Sequence, residues 1–216
     1  MRCVLRTSGL TNRYASSRFL NEGSLVLKIL AIIGTNVTNG TGKKPSAERM
    51  ADYFLDRLAG SGHTAEQVVL SGYRIDYCDH CEICDKEEDC SLGDDFWPIY
   101  EKMKAADAIV FFTTVTYGMM NPKLAAFLQR TGRIARSNGK QFAGKITGLL
   151  TEEVRTTGMP VLEQFKLWTE SEDMKPPLVA RVSFGSNAEG KHVSLAEIEP
   201  VRQAKARELA EAFIDR

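Results

Sequence analysis

An almost uninterrupted apolar run at positions 28–33, with the sequence Lys-Ile-Leu-Ala-Ile-Ile, sets the fold that this chain can adopt. Such a run is typical of a strand buried on both faces of a parallel sheet, because a strand with one wet face would alternate apolar and polar residues. A loop rich in Gly, Thr and Asn follows at 34–45, and apolar residues at helical spacing begin after Ser46. The sequence therefore predicts a strand, a polar loop and a helix in succession.

The same alternation continues to the end of the chain. Further strands are predicted at 67–70, 108–112, 145–151 and 178–184, and the later helices are predicted to begin at Asp94 or Asp95, at Pro122, after 158 and near Pro200. Five strands alternating with five helices predict an α/β fold, with a doubly wound parallel sheet in the order 2-1-3-4-5 and helices on both faces. No break in composition divides 28–216, so we expect one domain there, with a cysteine-rich insertion at 72–93.

The first 27 residues differ from the rest of the chain. Four arginines and no acidic residue occur among the first 21, a composition that resembles an organellar transit peptide. Because these residues show no clear amphipathic period, we interpret 1–27 as an N-terminal arm outside the domain.

The overall charge excludes some classes of partner. Lys plus Arg and Asp plus Glu both number 28, so the formal net charge is zero. A nucleic-acid or anionic-membrane partner is therefore not expected. No apolar run approaches the roughly 18 residues that a membrane-spanning helix needs.

Four of the five cysteines are clustered with the spacing C-x2-C-x2-C-x5-C, as Cys78, Cys81, Cys84 and Cys90. Local disulfides at this spacing would be strained, which favours a reducing, cytoplasmic location. The spacing suits a [4Fe–4S] cluster, since one short loop can supply three thiolates and a fourth follows. Structural zinc, which more often uses two separated C-x2-C pairs, and redox-active thiols or a partial disulfide remain alternatives.

The loops at 34–46, 113–121 and 151–158 should meet at the carboxyl edge of the sheet, where such folds bind ligands. The first loop offers backbone N–H groups, hydroxyl groups and the start of a helix, which together suit a phosphate. A nucleotide-triphosphate loop is excluded because Lys44 stands where Ser or Thr is required, and Pro45 breaks the dinucleotide fingerprint.

Several of these segments resemble the flavodoxin-like NAD(P)H-dependent FMN reductases, and within them the iron–sulfur flavoproteins. The segments are 28–35, Ser46, the four cysteines, the acidic pair 94–95, and 113–130. The chain departs from the family pattern where Thr113-Thr114 replaces Ser-Pro, Thr116 replaces Tyr, and Gln129 replaces Asp.

The resemblance implies FMN as a cofactor, NAD(P)H as a possible co-substrate, a homodimer or homotetramer, and a [4Fe–4S] cluster on Cys78, Cys81, Cys84 and Cys90. It implies no catalytic side chain, because the chemistry takes place on FMN. The resemblance implies that the FMN phosphate is bound by Thr35, Asn36, Thr38 and Ser46. The isoalloxazine ring would be flanked by Thr114, Val115, Thr116, Tyr117 and Gly118. The third side of the flavin site would be formed by the loop that contains Glu152 and Gly158.

The expected function is that of an FMN-dependent oxidoreductase or electron-transfer flavoprotein, in which a cluster exchanges electrons with a redox partner or a small-molecule acceptor. One alternative is a cluster-free NAD(P)H-dependent FMN or quinone reductase. A second is a non-catalytic carrier of the flavodoxin type, although such carriers are often strongly acidic and this chain is neutral. A third is a zinc-stabilised binding module.

Overall fold

The computed structural model describes residues 26–36, 42, 44–87, 89–154, 158–185 and 193–216, so nearly all of the predicted arm lies outside the described residues. Within these residues, five strands alternate with five α-helices. The strands are β1 Lys28–Gly34, β2 Thr64–Val69, β3 Ala108–Val115, β4 Ile146–Val154 and β5 Leu178–Phe184. The helices are α1 Ser46–Leu58, α2 Phe96–Ala105, α3 Pro122–Asn138, α4 Met159–Ser171 and α5 Leu195–Ile214.

All five strands are parallel and lie in the order β2-β1-β3-β4-β5, which confirms the predicted doubly wound sheet. Successive residues of β1 point to opposite faces, so Leu30 and Ile32 enter the core beneath α2, α3 and α4, whereas Ile29 and Ile33 enter the core beneath α1 and α5. Every β1 residue after Lys28 is buried, as expected for the central apolar run.

The strands extend beyond the apolar runs that predicted them. β3 continues to Val115 and β4 to Val154, where loops were predicted to begin at Thr113 and after 151. The parallel ladder carries these polar ends, since Thr114 pairs with Glu152. β2 begins at Thr64 instead of Gln67, because this edge strand is exposed at its first four residues and has no apolar period there.

The last helix begins at Leu195 and not near Pro200 as predicted. Ser194 forms a capping box with Glu197: the Ser194 hydroxyl accepts from the Glu197 N–H, and the Glu197 carboxylate accepts from the Ser194 N–H. Pro200 therefore lies inside the first turns of α5. No helix in the described part of the chain has the length and apolar character needed to cross a membrane.

β1 and α3 approach each other closely at the edge of the sheet where ligands are expected. A methyl group on Gly34 would lie 2.9 Å from the Leu124 Cβ atom, closer than carbon atoms normally pack. The absence of a side chain at Gly34 thus lets the first turn of α3 lie directly against the end of β1.

Candidate functional site

A cleft of about 620 Å³ opens at the carboxyl ends of β1 and β3. This volume is within the range of small-molecule sites. Its position follows from the parallel sheet, in which the ends of neighbouring strands and the starts of the next helices meet. The lining residues are Thr35, Asn36, Thr114, Thr116, Met119, Met120, Asn121, Pro122, Ala125 and Gln164.

Four of these lining residues were predicted from the sequence as cofactor-binding residues: Thr35, Asn36, Thr114 and Thr116. The remaining wall comes from the turn after β3, the first turns of α3, and Gln164 of α4. These last contributions were missed, since nothing in the sequence shows which helix face is turned towards the cleft. Thr38 lies outside the described residues.

The start of α1 offers donors for an anion. The N-cap position is occupied by Pro45, and no side chain in the described part of the chain caps the first N–H groups of the helix. These N–H groups and the helix dipole favour a negative charge at Ser46, the first helical residue. The predicted phosphate loop therefore ends in an uncapped helix N-terminus.

The turn after β3 is tight and presents an aromatic ring. Thr116 and Met119 are bridged by backbone hydrogen bonds, and Tyr117 and Gly118 between them have φ angles of 53° and 73°. A left-handed tyrosine is uncommon and costs about 1 kcal/mol or more, so the surrounding turn must hold it. The Tyr117 side chain is 84% exposed, whereas Val115 is buried in the sheet.

Glu152 lies at the end of β4, on the face that α5 covers. Its carboxylate accepts from Arg202 Nε at 2.6 Å and from Arg202 Nη2 at 3.0 Å. Arg202 is fully buried and also donates to Ser46 Oγ at 3.3 Å and to Glu199. The predicted residues Glu152 and Ser46, 106 positions apart, are therefore joined through one guanidinium.

Arg202 itself was not predicted. Its signal in the sequence is an arginine four residues after Ile198 and four before Ala206, within the buried stripe of α5. A charged residue in such a stripe requires a buried partner.

Gly158 precedes α4 and leaves room for a neighbouring carboxylate. A methyl group at Gly158 would lie 2.5 Å from Glu153 Oε2. Glu153 is fully buried, and its other oxygen accepts from Arg181 of β5. The structure thus gives Gly158 a packing role beside the start of α4, where a negative charge also complements the helix dipole.

The cysteine-rich insertion at 72–93, called the cysteine loop below, packs along helix α3. Lys123 Nζ donates to the Tyr73 carbonyl at 2.6 Å, and Asn138 Nδ2 donates to the Cys84 carbonyl at 3.1 Å. These two anchors lie about 22 Å apart along the helix axis. Asp85 adds a third anchor, because its carboxylate accepts from Arg133 at 2.6 Å.

Arg130 of α3 anchors the end of the cysteine loop, just before α2. Its Nη1 and Nη2 atoms donate to the Asp94 carboxylate at 2.5 Å and 3.0 Å. Nη2 also donates to Cys90 Sγ at 3.2 Å, and Nη1 donates to the Asp76 carbonyl at 3.3 Å. The carbon atom of the guanidinium lies 4.1 Å from the centre of the Phe96 ring. Burial alone would raise the pKa of Asp94, but the hydrogen bonds from Arg130 and the Asp76 N–H hold that pKa below its usual value.

The four clustered cysteines are all unpaired thiols. Cys81 is exposed and lies between two left-handed residues, His80 and Glu82, whereas Cys84 is buried. Burial, with a further contribution from Asp85, raises the pKa of the Cys84 thiol. Within the described ranges, no three His, Cys, Asp or Glu side chains are gathered closely enough to hold a metal ion. The donor set therefore suits iron in its chemistry, but its thiols are not brought together.

Comparison with known proteins supports the resemblance on which the predicted site rests. A sequence profile described as NADPH-dependent FMN reductase matches residues 27–189. An iron–sulfur flavoprotein from Archaeoglobus fulgidus is 30% identical over 133 residues, which cover 61% of this chain and 62% of that protein. Another from Methanosarcina thermophila is 28% identical over 104 residues, covering 48% and 54%. The chain thus spans roughly half to three fifths of these relatives.

Solved structures agree on the fold. An NAD(P)H:quinone oxidoreductase from Methanothermobacter marburgensis superposes with a TM-score of 0.64 at 16% identity, over 88% of this chain and 98% of that one. An FMN-dependent NADH-azoreductase from Bacillus anthracis, in complex with FMN, superposes with a TM-score of 0.60 at 14% identity, over 88% and 100%. At these identities the structures establish the flavodoxin-like architecture alone. Since the sequence profile covers well over half of the residues, the chain belongs to the NADPH-dependent FMN reductase family, and iron–sulfur flavoproteins are among its relatives.

Proposed function

We propose that this protein is an FMN-dependent oxidoreductase that binds its flavin in the cleft at the ends of β1 and β3. One observation carries the proposal: a cleft with hydroxyl and methionine walls lies at the ends of β1 and β3, and α1, the next helix after β1, begins without a side-chain cap. The helix start suits a phosphate, and the cleft suits a flat, mostly apolar ring. When bound, FMN supplies the redox chemistry, taking a hydride from NAD(P)H and passing two electrons to an acceptor.

The residues of this chain would bind and orient the flavin. Thr35, Asn36 and Ser46 are the proposed phosphate contacts, together with Thr38 from outside the described residues. The backbone of 114–118 would lie along the ring, with Met119 and Met120 as further apolar contacts. Gly158 and the backbone at Glu152 are proposed for the third side, since the Glu152 carboxylate is already bound by Arg202.

We also propose a [4Fe–4S] cluster on Cys78, Cys81, Cys84 and Cys90. The support is a loop of four unpaired thiols held on α3, whose first turns line the cleft, and the family relatives that carry the name iron–sulfur flavoprotein. To bind a cluster, the loop would have to bring its four thiols together, since no three metal-ligating side chains are gathered within the described residues. A cluster would supply one-electron transfer.

A reducing, cytoplasmic location follows from the same thiols as a proposal. We also propose that the electron acceptor is a redox protein or a small molecule such as a quinone. The proposed assembly is a homodimer or a homotetramer.

Anaerobic purification tests both cofactors. The expected result is bound FMN at one equivalent per chain, four iron atoms and four sulfides, and oxidation of NADH or NADPH with a quinone as the acceptor. FMN without iron would instead select the cluster-free reductase, and FMN without NAD(P)H oxidation would select an electron carrier. Zinc in place of iron would select the binding module, and a protein that cannot be reconstituted with FMN would overturn the proposal.

Individual cysteine substitutions test the cluster ligands. Replacing any one of the four loop cysteines by alanine should lower the iron content well below that of the unmodified protein. Cys3→Ala is the matched control, because Cys3 lies in the predicted N-terminal arm and should not affect iron. Unchanged iron content in a loop variant would remove that cysteine from the ligand set.

A further inference from the structure

We infer that Arg202 of α5 is a positioning residue that makes the cleft selective for a phosphorylated flavin. It does so by holding Ser46 at the start of α1 and by neutralising Glu152 behind it. The inference rests on the proposed function, because the phosphate concerned is that of FMN. Arg202 lies outside residues 27–189, which the family profile matches, so the family assignment gives it no role.

The guanidinium of Arg202 joins three elements at one point. Nε and Nη2 bind the two carboxylate oxygens of Glu152 at the end of β4, at 2.6 Å and 3.0 Å. Nη2 also reaches Ser46 Oγ of α1 at 3.3 Å, and Nη1 donates to Glu199 of α5. Since Arg202 is fully buried, these contacts replace water and leave it little freedom to move.

This geometry determines how the Ser46 hydroxyl can bind. An arginine N–H can only donate, so Ser46 Oγ accepts the hydrogen bond from Arg202. The single hydroxyl proton of Ser46 therefore remains for an acceptor elsewhere. Ser46 opens α1, next to N–H groups that no described side chain caps, and a phosphate bound there offers such an acceptor.

Arg202 also removes a charge that would oppose a phosphate. The strand register places Glu152 beside Thr114, which lines the cleft. An unpaired carboxylate at this position would repel an anion, and the bidentate contact with Arg202 cancels its charge. Glu199 is matched in turn by Arg49 and accepts from the Tyr53 hydroxyl at 2.5 Å, so the two arginines balance the two glutamates.

If Arg202 had only a structural role, its replacement would weaken the binding of all flavins equally. If it acts at the phosphate, its replacement would weaken the binding of FMN but not that of riboflavin, which has no phosphate. The test compares the Kd values of FMN and riboflavin for the apoprotein, measured by quenching of flavin fluorescence. Arg202→Lys keeps the charge but loses the planar fork that reaches Ser46 and Glu152 together. We expect this variant to weaken FMN binding about tenfold and to leave riboflavin binding within about twofold, as for the loss of one charge-assisted hydrogen bond.

A double-mutant cycle identifies the route. Ser46→Ala should also weaken FMN binding about tenfold, and the double variant should be little worse than either single one, because both remove the same contact. Arg57→Lys is the matched control: Arg57 also joins α1 to α5, through Glu211, but at the last turn of α1. Its Kd values for both flavins should not change.

Glu152→Gln provides a second variant if Arg202→Lys does not fold, as judged by circular dichroism. It leaves the Arg202–Ser46 contact in place and removes one negative charge, so FMN should bind at least as tightly and riboflavin unchanged. Three results would overturn the inference. The first is an equal loss of affinity for FMN and riboflavin in Arg202→Lys, and the second is a double variant whose loss of FMN affinity is the product of the two single losses. The third is weaker FMN binding in Glu152→Gln. Wild-type protein that binds neither flavin would instead overturn the proposed function, and equal affinity for both flavins would overturn the inference alone.

Discussion

Arg130 Nη2 donates to Cys90 Sγ at 3.2 Å, across 40 positions of the sequence, and this contact joins the cysteine loop to α3. The same helix contributes Pro122 and Ala125 to the wall of the proposed flavin cleft. One rigid element therefore contacts both proposed redox sites. The distance from Asn121, at the start of the helix, to Arg130 is about 14 Å along the axis.

Arg130 should be essential for the stability of this arrangement. Arg130→Met leaves the Asp94 carboxylate buried without its partner, and the side chains of both residues are almost fully buried. Breaking such a pair costs about 3–5 kcal/mol. Urea denaturation of the apoprotein measures this loss as a fall in the free energy of unfolding.

Arg57→Met serves as the control for Arg130→Met. Arg57 pairs with Glu211 on the surface, where both side chains are about half exposed, so its loss should cost less than about 1 kcal/mol. Similar losses in the two variants would show that the buried pair has no special weight.

A second prediction concerns the contact between β1 and α3. Gly34→Ala would place a methyl group 2.9 Å from Leu124 Cβ and force the start of α3 away from the sheet. We expect a loss of about 1–3 kcal/mol in unfolding free energy, together with weaker FMN binding, because α3 forms the cleft wall. Gly72→Ala, where no atom lies within 4 Å of the added methyl group, should change neither quantity.

Asn121 provides a third prediction, since it caps α3 at the cleft. Its side-chain oxygen accepts from the N–H groups of Lys123 and Leu124 at 3.1 Å and 3.2 Å. Asn121→Ala should lower the free energy of unfolding by about 1 kcal/mol, while Asn121→Asp keeps an acceptor and should lose little. Equal losses in thermal denaturation of the two variants would argue against the cap.

The sequence predicted the sheet because the central strands are apolar throughout, as at 29–33 and 108–112. It did not predict the strand ends, because Thr114 and Glu152 are polar, although they pair in the ladder and Glu152 is buried against Arg202. An apolar period reports the burial of apolar side chains, and a polar side chain that is buried with a partner leaves no comparable signal.

The same distinction applies to the candidate site. The loops after β1 and β3 could be located because parallel strands end at one edge, and the structure places Thr35 and Thr116 on the cleft wall. Arg130 and Arg202 could not be assigned a role, since their partners Asp94 and Glu152 lie 36 and 50 positions away. Pairings over such distances depend on how the helices dock, which a single sequence does not show.

Glu172, just after α4, should make the stability depend on pH. It is fully buried beside Gly132 of α3, and neither carboxylate oxygen has a hydrogen-bond partner in the described part of the chain. Burial raises its pKa from 4.5 to about 7; Lys140 opposes this shift and Asp173 adds to it. Between these two pH values the folded protein keeps a proton that the unfolded chain has released. The free energy of unfolding should therefore fall as the pH rises, by at most about 3 kcal/mol.

Glu172→Gln tests this dependence, because glutamine has nearly the same shape and no charge to bury. Urea denaturation at pH 5 should give the variant and the wild type similar stability, since Glu172 is largely protonated there. At pH 8 the variant should be more stable, because only the wild type has a buried carboxylate without a partner. Glu170→Gln, at an exposed position near the end of α4, should follow the wild type at both pH values. If Glu172→Gln also loses stability in parallel with the wild type between pH 5 and 8, another group is responsible for the pH dependence.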